Sequence, residues 1–437
     1  MAKASERSFQ DPAFSQNKSV PVHRWVPWVA GYSQRFAEDA LSRYANGTRR
    51  LVLDPFAGVG TTLVEADRAG HRAVGFEINP YAAFVCQTKL RAHRIRTSAL
   101  RQAIDELLRY AKSIDADGLV PKSSPPDGFR TRSPFYSPKV LEKVLLLMDF
   151  IGDQDDEVIK DVIRLAFAAT MVDYSNYSYE PSLGRRKAVG RAEIDDFPVI
   201  ATLVRKLNEI ADDSDWYRSQ RMCLQRPDGV VHARSFFDED ELEPASVDLI
   251  ITSPPYMNNY HYNRNTRPHM YWLRFCQSPG ELKTLEWQNF GTSWQLARDQ
   301  AKVGLDTVIT DDEIHQVVHR IGQQNPGKGV YGGMGWANYA ATYLNDCVRF
   351  MRGMRRVLRP GASALVVIGN SVVQGVHVPT DRFLAKIAIN CGLKVPAIHT
   401  PREARVGNSI INSSVRVGLA GKQNRLYESV VEIRQGI

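Results

Sequence analysis

The stretch SVDLIITSPPY, Ser246 to Tyr256, decides how this chain is read. Val247, Leu249, Ile250 and Ile251 are apolar, with Asp248 the one charged interruption, which suits a central parallel strand covered on both faces. Ser253-Pro254-Pro255-Tyr256 then ends the strand. Neither proline has an N–H to give a ladder and each fixes φ, so the backbone leaves the sheet rigidly with carbonyl oxygens free to accept from a ligand. In an open α/β sheet this is the carboxyl edge of a strand, where ligands bind. Tyr256, Tyr260, His261 and Tyr262 crowd aromatic rings into the same few positions.

Six further segments of strand character surround that one: RLVLD (50–54), RAVGFE (72–77), GVVHAR (229–234), SALVVIG (363–369), GLKVPAI (392–398) and YESVVEIR (427–434). The pattern predicts a doubly wound, mostly parallel α/β sheet with a large helical insertion. Residues 1–20 are polar and aperiodic and read as a loose tail. The sheet domain takes residues 21–96 and 226–437. Residues 97–225 read as helices, with Leu100, Ile104, Leu107, Leu108 and Ala111 at the helical period and further helices over PKVLEKVLLLMDFI and FPVIATLVRKLNEI. Residues 277–336 form a second, irregular insertion.

Between the first two strands, LDPFAGVGTTLVEA places Gly58 and Gly60 after a strand and before a helix, a turn that lets the backbone approach a ligand and aims helix N–H groups at it. Glu77, at the end of the second strand, is placed to accept both hydroxyls of a ribose. Leu63 stands where a dinucleotide fingerprint has its third glycine, which favours a nucleoside cofactor without pyrophosphate. The other glycine-rich run, GQQNPGKG, carries Gly329 where a phosphate loop needs Ser or Thr for magnesium, and VYGGMG follows it instead of a helix, so a nucleoside triphosphatase is excluded.

Composition narrows the class. In 437 residues, 43% hydrophobic and 24% charged, no apolar run approaches the ~18 to 20 residues of a membrane helix, and the start has no signal-peptide core, so we expect a cytoplasmic protein without a membrane partner. The five cysteines are scattered without a C-x-x-C pair, which predicts reduced core thiols and no metal site. A net charge of +8 suits a polyanionic partner. One basic cluster, Arg185, Arg186 and Lys187 with Arg191, lies beside SNYSYEP in what reads as an exposed loop. A second, Arg349, Arg352, Arg356 and Arg359, reads as a solvated helix face. Asn370, at another strand end, reads as a turn residue.

DPFAGVGTT with GFEINP, and TSPPY after a buried strand, resemble the cofactor and catalytic motifs of the amino-group DNA methyltransferases, and the similarity covers residues 22–96 and 228–434. The resemblance implies S-adenosylmethionine as cofactor, held by Asp54, Pro55, Phe56, Gly58, Gly60, Thr61, Thr62, Glu77 and Asn79. It implies a target pocket of Ser253, Pro254, Pro255 and Tyr256. HRWVPWVAGYSQRF (23–36) is similar to the helix that lies against the methionine part in many of these enzymes. The acid usual after the third strand is replaced near His232. The expected partner is double-stranded DNA with a flipped target base, contacted by Tyr260, Arg185, Arg186 and Lys187, with the 97–225 insertion reading the target and a restriction endonuclease as companion. Ser ahead of Pro-Pro-Tyr resembles the enzymes that methylate N4 of cytosine. Adenine N6 methylation, RNA methylation and an inactive DNA-binding homologue are the alternatives, whereas carbon-5 methylation would need a cysteine nucleophile that no motif here supplies.

Overall fold

The computed structural model describes residues 9–28, 31–45, 47, 49–179, 183–221, 228–238, 241–258, 262–403 and 426–437. The strands are β1 (Leu51–Asp54), β2 (Arg72–Phe76), β3 (Tyr177–Tyr179), β4 (Leu183–Arg185), β5 (Val230–His232), β6 (Val247–Thr252), β7 (Leu358–Gly369), β8 (Ser371–Val373), β9 (Val376–Val378), β10 (Lys394–Arg402) and β11 (Glu428–Arg434). The helices are α1 (Gln34–Tyr44), α2 (Thr61–Arg68), α3 (Pro80–Leu90), α4 (Thr97–Asp117), α5 (Pro138–Gly152), α6 (Glu157–Thr170), α7 (Val199–Gln220), α8 (Tyr262–Trp272), α9 (Pro279–Gln288), α10 (Trp294–Ala297), α11 (Asp312–Gly322), α12 (Gly333–Val357) and α13 (Thr380–Asn390). No helix among the described residues is long and apolar enough to cross a membrane.

Seven strands form one sheet in the order β10-β11-β7-β6-β1-β2-β5. The pairs from β7 to β5 are parallel, and β11 runs antiparallel to both its neighbours. From β1 the chain winds outward through β2 to β5, then returns to β6 on the other flank, so the topology switches between β1 and β6. Their register, Val52 beside Leu249 and Leu53 beside Ile250, sets the DPFAGVG turn and the Ser-Pro-Pro-Tyr corner next to each other.

Burial on both faces explains the unbroken apolar runs. In β6, Leu249 and Ile251 belong to one core while Val247 and Ile250 belong to the other. The first core is closed by α1 to α7, the second by α11, α12 and α13. The helices after α3 are tied to the sheet domain by buried charge. Arg221 and Asp67, both essentially solvent-free, pair at 2.8 Å, and the Tyr217 hydroxyl donates to the same carboxylate at 2.7 Å. Asp213 on α7 accepts from the Val22 N–H, the Trp25 indole and the Arg24 guanidinium. A buried carboxylate with this many donors has its desolvation offset.

Several expectations are corrected. Residues 9–20 are not loose: Phe9 is buried against Phe36 and Tyr44, and the Asn17 amide donates to the Tyr32 carbonyl, so a polar segment is fixed by one aromatic anchor and by satisfied amides. The helix expected over residues 23–36 begins only at Gln34, capped by Ser33. The basic loop near residue 183 is a hairpin, β3 paired with β4. The second insertion contains helices α9 to α11. A helix does begin within GGMG: α12 starts at Gly333, where a Cβ would fall 2.2 Å from the Ile321 carbonyl, so these glycines serve close packing. Arg359 lies in β7 and not on the α12 face. It pairs with Asp248 while Arg349 and Arg352 pair with Asp346 and Asp306. Cys86, Cys276, Cys347 and Cys391 are free and buried; Cys223 lies outside the described residues.

Candidate active site

A cavity of about 530 Å³ opens at the carboxyl ends of β1, β2, β5 and β6. Asp54, Pro55, Phe56, Gly58, Thr61, Glu77 and Asn79 line it from the first half of the sheet, and Ser253, Pro254, Pro255 and Tyr256 from the second.

The glycine turn works through its backbone. Gly58 has φ +51°, in the region that favours glycine, and its N–H donates to Glu77 Oε2 at 2.9 Å. Glu77 Oε1 accepts from the Asn79 N–H at 2.8 Å. Burial pushes the Glu77 carboxyl up to about 7 against the pull of those N–H donors. Each oxygen keeps a lone-pair direction for one further donor.

Asp54 has a different part. Its Oδ1 accepts from the Phe56 N–H at 3.1 Å and the Thr252 hydroxyl at 2.6 Å, and its Oδ2 from the Tyr32 hydroxyl at 2.9 Å. Burial raises this carboxyl to about 6. With both oxygens engaged, Asp54 fastens the end of β1 to the end of β6 and to the N-terminal segment. It positions the motif that follows Thr252.

At the Ser-Pro-Pro-Tyr corner, the Pro255 carbonyl accepts from the Tyr343 hydroxyl at 2.8 Å. The Tyr256 hydroxyl donates to Glu428 Oε1 at 3.2 Å, and Glu428 is held by Arg402 at 3.1 Å. The Ser253 hydroxyl and the Pro254 carbonyl have no hydrogen-bond partner among the described residues. Two acceptors of fixed position therefore remain at one corner of the cavity.

Two residues expected to line this cavity stand behind its wall. Gly60, φ +88°, caps α2, and a Cβ there would lie 2.6 Å from Cys86 Sγ. The Thr62 hydroxyl is buried and donates to the Ile251 carbonyl at 3.1 Å. Asn79 lines the cavity, but its side chain caps α3 and donates to Thr266 and Asn263. Tyr260 lies outside the described residues. Arg185 and Lys187 are exposed, and Arg186 donates to the Ala192 carbonyl. Their hairpin is bonded to α8, the helix after the corner, through Leu183 N–H to Asn265 Oδ1 at 3.1 Å and the Tyr179 hydroxyl to the Asn265 carbonyl at 3.0 Å.

Other lining residues come from outside the two motifs, Trp28 and Tyr32 among them from the 23–36 segment expected beside the methionine part. Lys18, Trp28 and Tyr32 come from the N-terminal segment, Arg234 to Phe237 from the turn after β5, and Asn289 and Phe290 from the second insertion. The turn after β5 was findable as a third strand end on the same edge. His232, near the place of the acid usual after the third strand, stacks on Phe76 with ring centroids 5.0 Å apart and pairs with Glu241 at 3.1 Å.

The DNA methylase family model of N6 and N4 enzymes matches residues 32–86, the segment that carries Tyr32, Asp54, Gly58 and Glu77. Over that segment the chain is similar to the amino-group DNA methyltransferases. It is 22% identical over 437 residues to the Type II methyltransferase M.BsoBI of Geobacillus stearothermophilus, covering 91% of this chain and 83% of that protein. It is likewise 22% identical to M.AvaI of Nostoc sp. (91% and 86% covered) and to M.MvaI of Kocuria varians (91% and 89%). Among solved structures, a geranyl diphosphate methyltransferase in complex with GPP and sinefungin aligns with a TM-score of 0.32 at 6% identity, over 99% of this chain and 90% of that one. The cofactor of this methyltransferase is S-adenosylmethionine. The cavity fits a nucleoside of that kind: its volume is in the range of small-molecule sites, Gly58 leaves the backbone uncovered, and Glu77 keeps two acceptor directions for a diol.

Proposed function

We propose that this methyltransferase modifies DNA at specific sites and transfers the methyl group to N4 of a flipped cytosine. The observation that carries the reading is the pair of unpartnered acceptors, the Ser253 hydroxyl and the Pro254 carbonyl, in the same cavity as Glu77. An exocyclic amine is a poor nucleophile because its lone pair is delocalised into the ring. Two acceptors at fixed positions take its two N–H groups and turn the lone pair out of the ring plane. Tyr256, whose hydroxyl Glu428 anchors, offers its ring for the base to stack on.

S-adenosylmethionine, when bound, supplies an electrophilic methyl on a sulfonium. Glu77 would accept its ribose hydroxyls, Phe56, Phe236 and Phe237 would enclose its adenine, and Lys18 would meet its carboxylate. Asp54 is committed to holding Thr252, Phe56 and Tyr32 in place. The proton released by the amine therefore leaves along the hydrogen bond to the Ser253 hydroxyl or the Pro254 carbonyl and passes to solvent. A neutral Ser253 perturbs the neutral cytosine edge less than a carboxylate would, which supports cytosine over adenine.

Double-stranded DNA reaches this site only with its target base extruded. The helices of residues 97–225 and the β3–β4 hairpin on α8 would lie along the duplex, with Arg185, Arg186 and Lys187 on phosphates. A restriction endonuclease of the same specificity is the expected companion. The test is Ser253→Ala. Turnover should fall by about 10² to 10³ with cofactor affinity unchanged, the pattern of a polar partner used only at the reacting group. Turnover equal to wild type would remove Ser253 from the reaction.

A further inference from the structure

Behind Tyr256 the main cavity adjoins a recess of about 20 Å³, and the two share Pro255, Tyr256, Tyr262, Asn263, Asn289 and Phe290 as walls. That is the space of one water molecule or one carbonyl oxygen. Two buried polar atoms of its lining residues, Asn263 Nδ2 and Thr292 Oγ1, have no hydrogen-bond partner among the described residues. Asn263 is 2% exposed, so its free amide is a donor withdrawn from solvent and left unsatisfied, a state that costs stability unless a ligand uses it.

The identity of that free atom follows from the hydrogen bonds around it. Asn79 caps α3, its Oδ1 accepting from the Tyr81 and Ala82 N–H groups at 3.1 and 3.2 Å, which fixes its amide orientation. Its Nδ2 must then donate, and it does so to Thr266 at 2.7 Å and to Asn263 Oδ1 at 3.2 Å. Asn263 therefore keeps its N–H₂ for the recess. Thr292, on the lining of the same recess, is held at φ +50°, after Gly291 at φ +70°, a backbone conformation that a β-branched residue rarely adopts. Asp346 fixes that turn by accepting the Gly291 N–H at 2.8 Å. Glu286 stands on the same wall, and burial raises its carboxyl above the ordinary value.

Cytosine and adenine differ where this recess lies. With the amine at Ser253 and Pro254, the far end of the Watson–Crick edge is a carbonyl oxygen, O2, in cytosine and a C2–H in adenine. We propose that Asn263 and Thr292 form a specificity pocket that receives O2 of the flipped cytosine, and that adenine is rejected because it leaves these donors unpaired. This rests on the cytosine reading above and assigns that choice to residues outside the Ser-Pro-Pro-Tyr motif.

Asn263→Asp tests it with little change of shape: the oxygen facing Asn79 is retained and only the free N–H₂ becomes an acceptor. Thr292→Val removes the hydroxyl alone. Methylation of plasmid DNA by wild type and both variants is followed by nucleoside mass spectrometry, with cofactor binding and thermal melting measured alongside. N4-methylcytosine formation should fall at least about 100-fold in N263D and about tenfold in T292V, with cofactor affinity kept, since a site built to pair a polar group loses more than one that merely encloses it. If N263D fails to fold, T292V decides alone. The wild-type product reports on the cytosine reading by itself. Given wild-type N4-methylcytosine, variants that match wild-type rate and base choice overturn the recess assignment.

Discussion

Glu77 links the structure to a measurable pH dependence. Its carboxyl is raised to about 7, so near neutrality the cofactor-free protein holds a mixture of protonated and ionised forms. Both oxygens already accept a backbone N–H, and only the ionised form has acceptor capacity left on each for the ribose diol. Because the folded value lies above the ordinary carboxylate value, the acid form is favoured below about pH 7 and binding must expel the proton there. The apparent Kd should scale as 1 + 10^(pKa − pH), a factor of about 1.1 at pH 8 and about 11 at pH 6, so affinity weakens about tenfold over that span. Glu77→Gln removes the titration and sets an amide N–H₂ against either Gly58 or Asn79, both donors. That mismatch, together with the missing ribose hydrogen bond, should cost about 1 to 3 kcal/mol, or about 5- to 150-fold in Kd at pH 8. Titration calorimetry with S-adenosylmethionine at pH 6, 7 and 8 measures both proteins, and the wild-type to variant ratio cancels the ligand's own titration. A ratio constant from pH 6 to 8, or a variant that binds as tightly as wild type at pH 8, would refute the assignment of Glu77 to the ribose.

The basic hairpin predicts a salt effect: replacing Arg185, Arg186 and Lys187 by alanine should weaken DNA binding and lower the log–log salt slope by about 0.9 for each phosphate no longer neutralised, read by fluorescence anisotropy, and an unchanged slope would leave the three cations as solvated surface. Gly60→Ala meets Cys86 Sγ at 2.6 Å as well as an unfavourable φ, whereas Gly361→Ala, φ +77°, meets nothing within 4 Å. Chemical denaturation should therefore show a cost of about 1 to 3 kcal/mol for G60A and distinctly less for G361A, and equal costs would mean that the approach to Cys86 does not matter.

What the sequence disclosed was set by how locally each feature is encoded. The central strands of the main sheet are legible because they bury both faces and so appear as short apolar runs, as Leu249 to Ile251 do, whereas the edge strands β5 and β10 are only half-buried and show through their β-branched residues. Gly58, Glu77 and the Ser-Pro-Pro-Tyr corner were readable because left-handed backbone, a strand-end acid and paired prolines are unusual on their own. Residues 9–33 were misread as a tail and a helix because their order comes from distant partners: Asp213, 191 positions from Val22, and Asp54, 22 positions from Tyr32. Gly60 and Thr62 share a motif with the lining residues, and only the direction of the α2 N-terminus tells the two sets apart. Asn263 gave no local signal, since its free amide is defined by the cap of a helix that begins 183 positions earlier at Pro80.

The central claim is tested most directly by the product. Purified protein is incubated with duplex DNA, and separately with RNA, using S-adenosylmethionine that carries a deuterated methyl group, and the nucleic acid is digested to nucleosides for mass spectrometry. The account predicts deuterated N4-methylcytosine in DNA, absent with Ser253→Ala. Deuterated N6-methyladenine alone would contradict the choice of base, label in RNA with untouched DNA would contradict the substrate, and no labelled nucleoside in either would contradict catalysis at the Ser-Pro-Pro-Tyr corner.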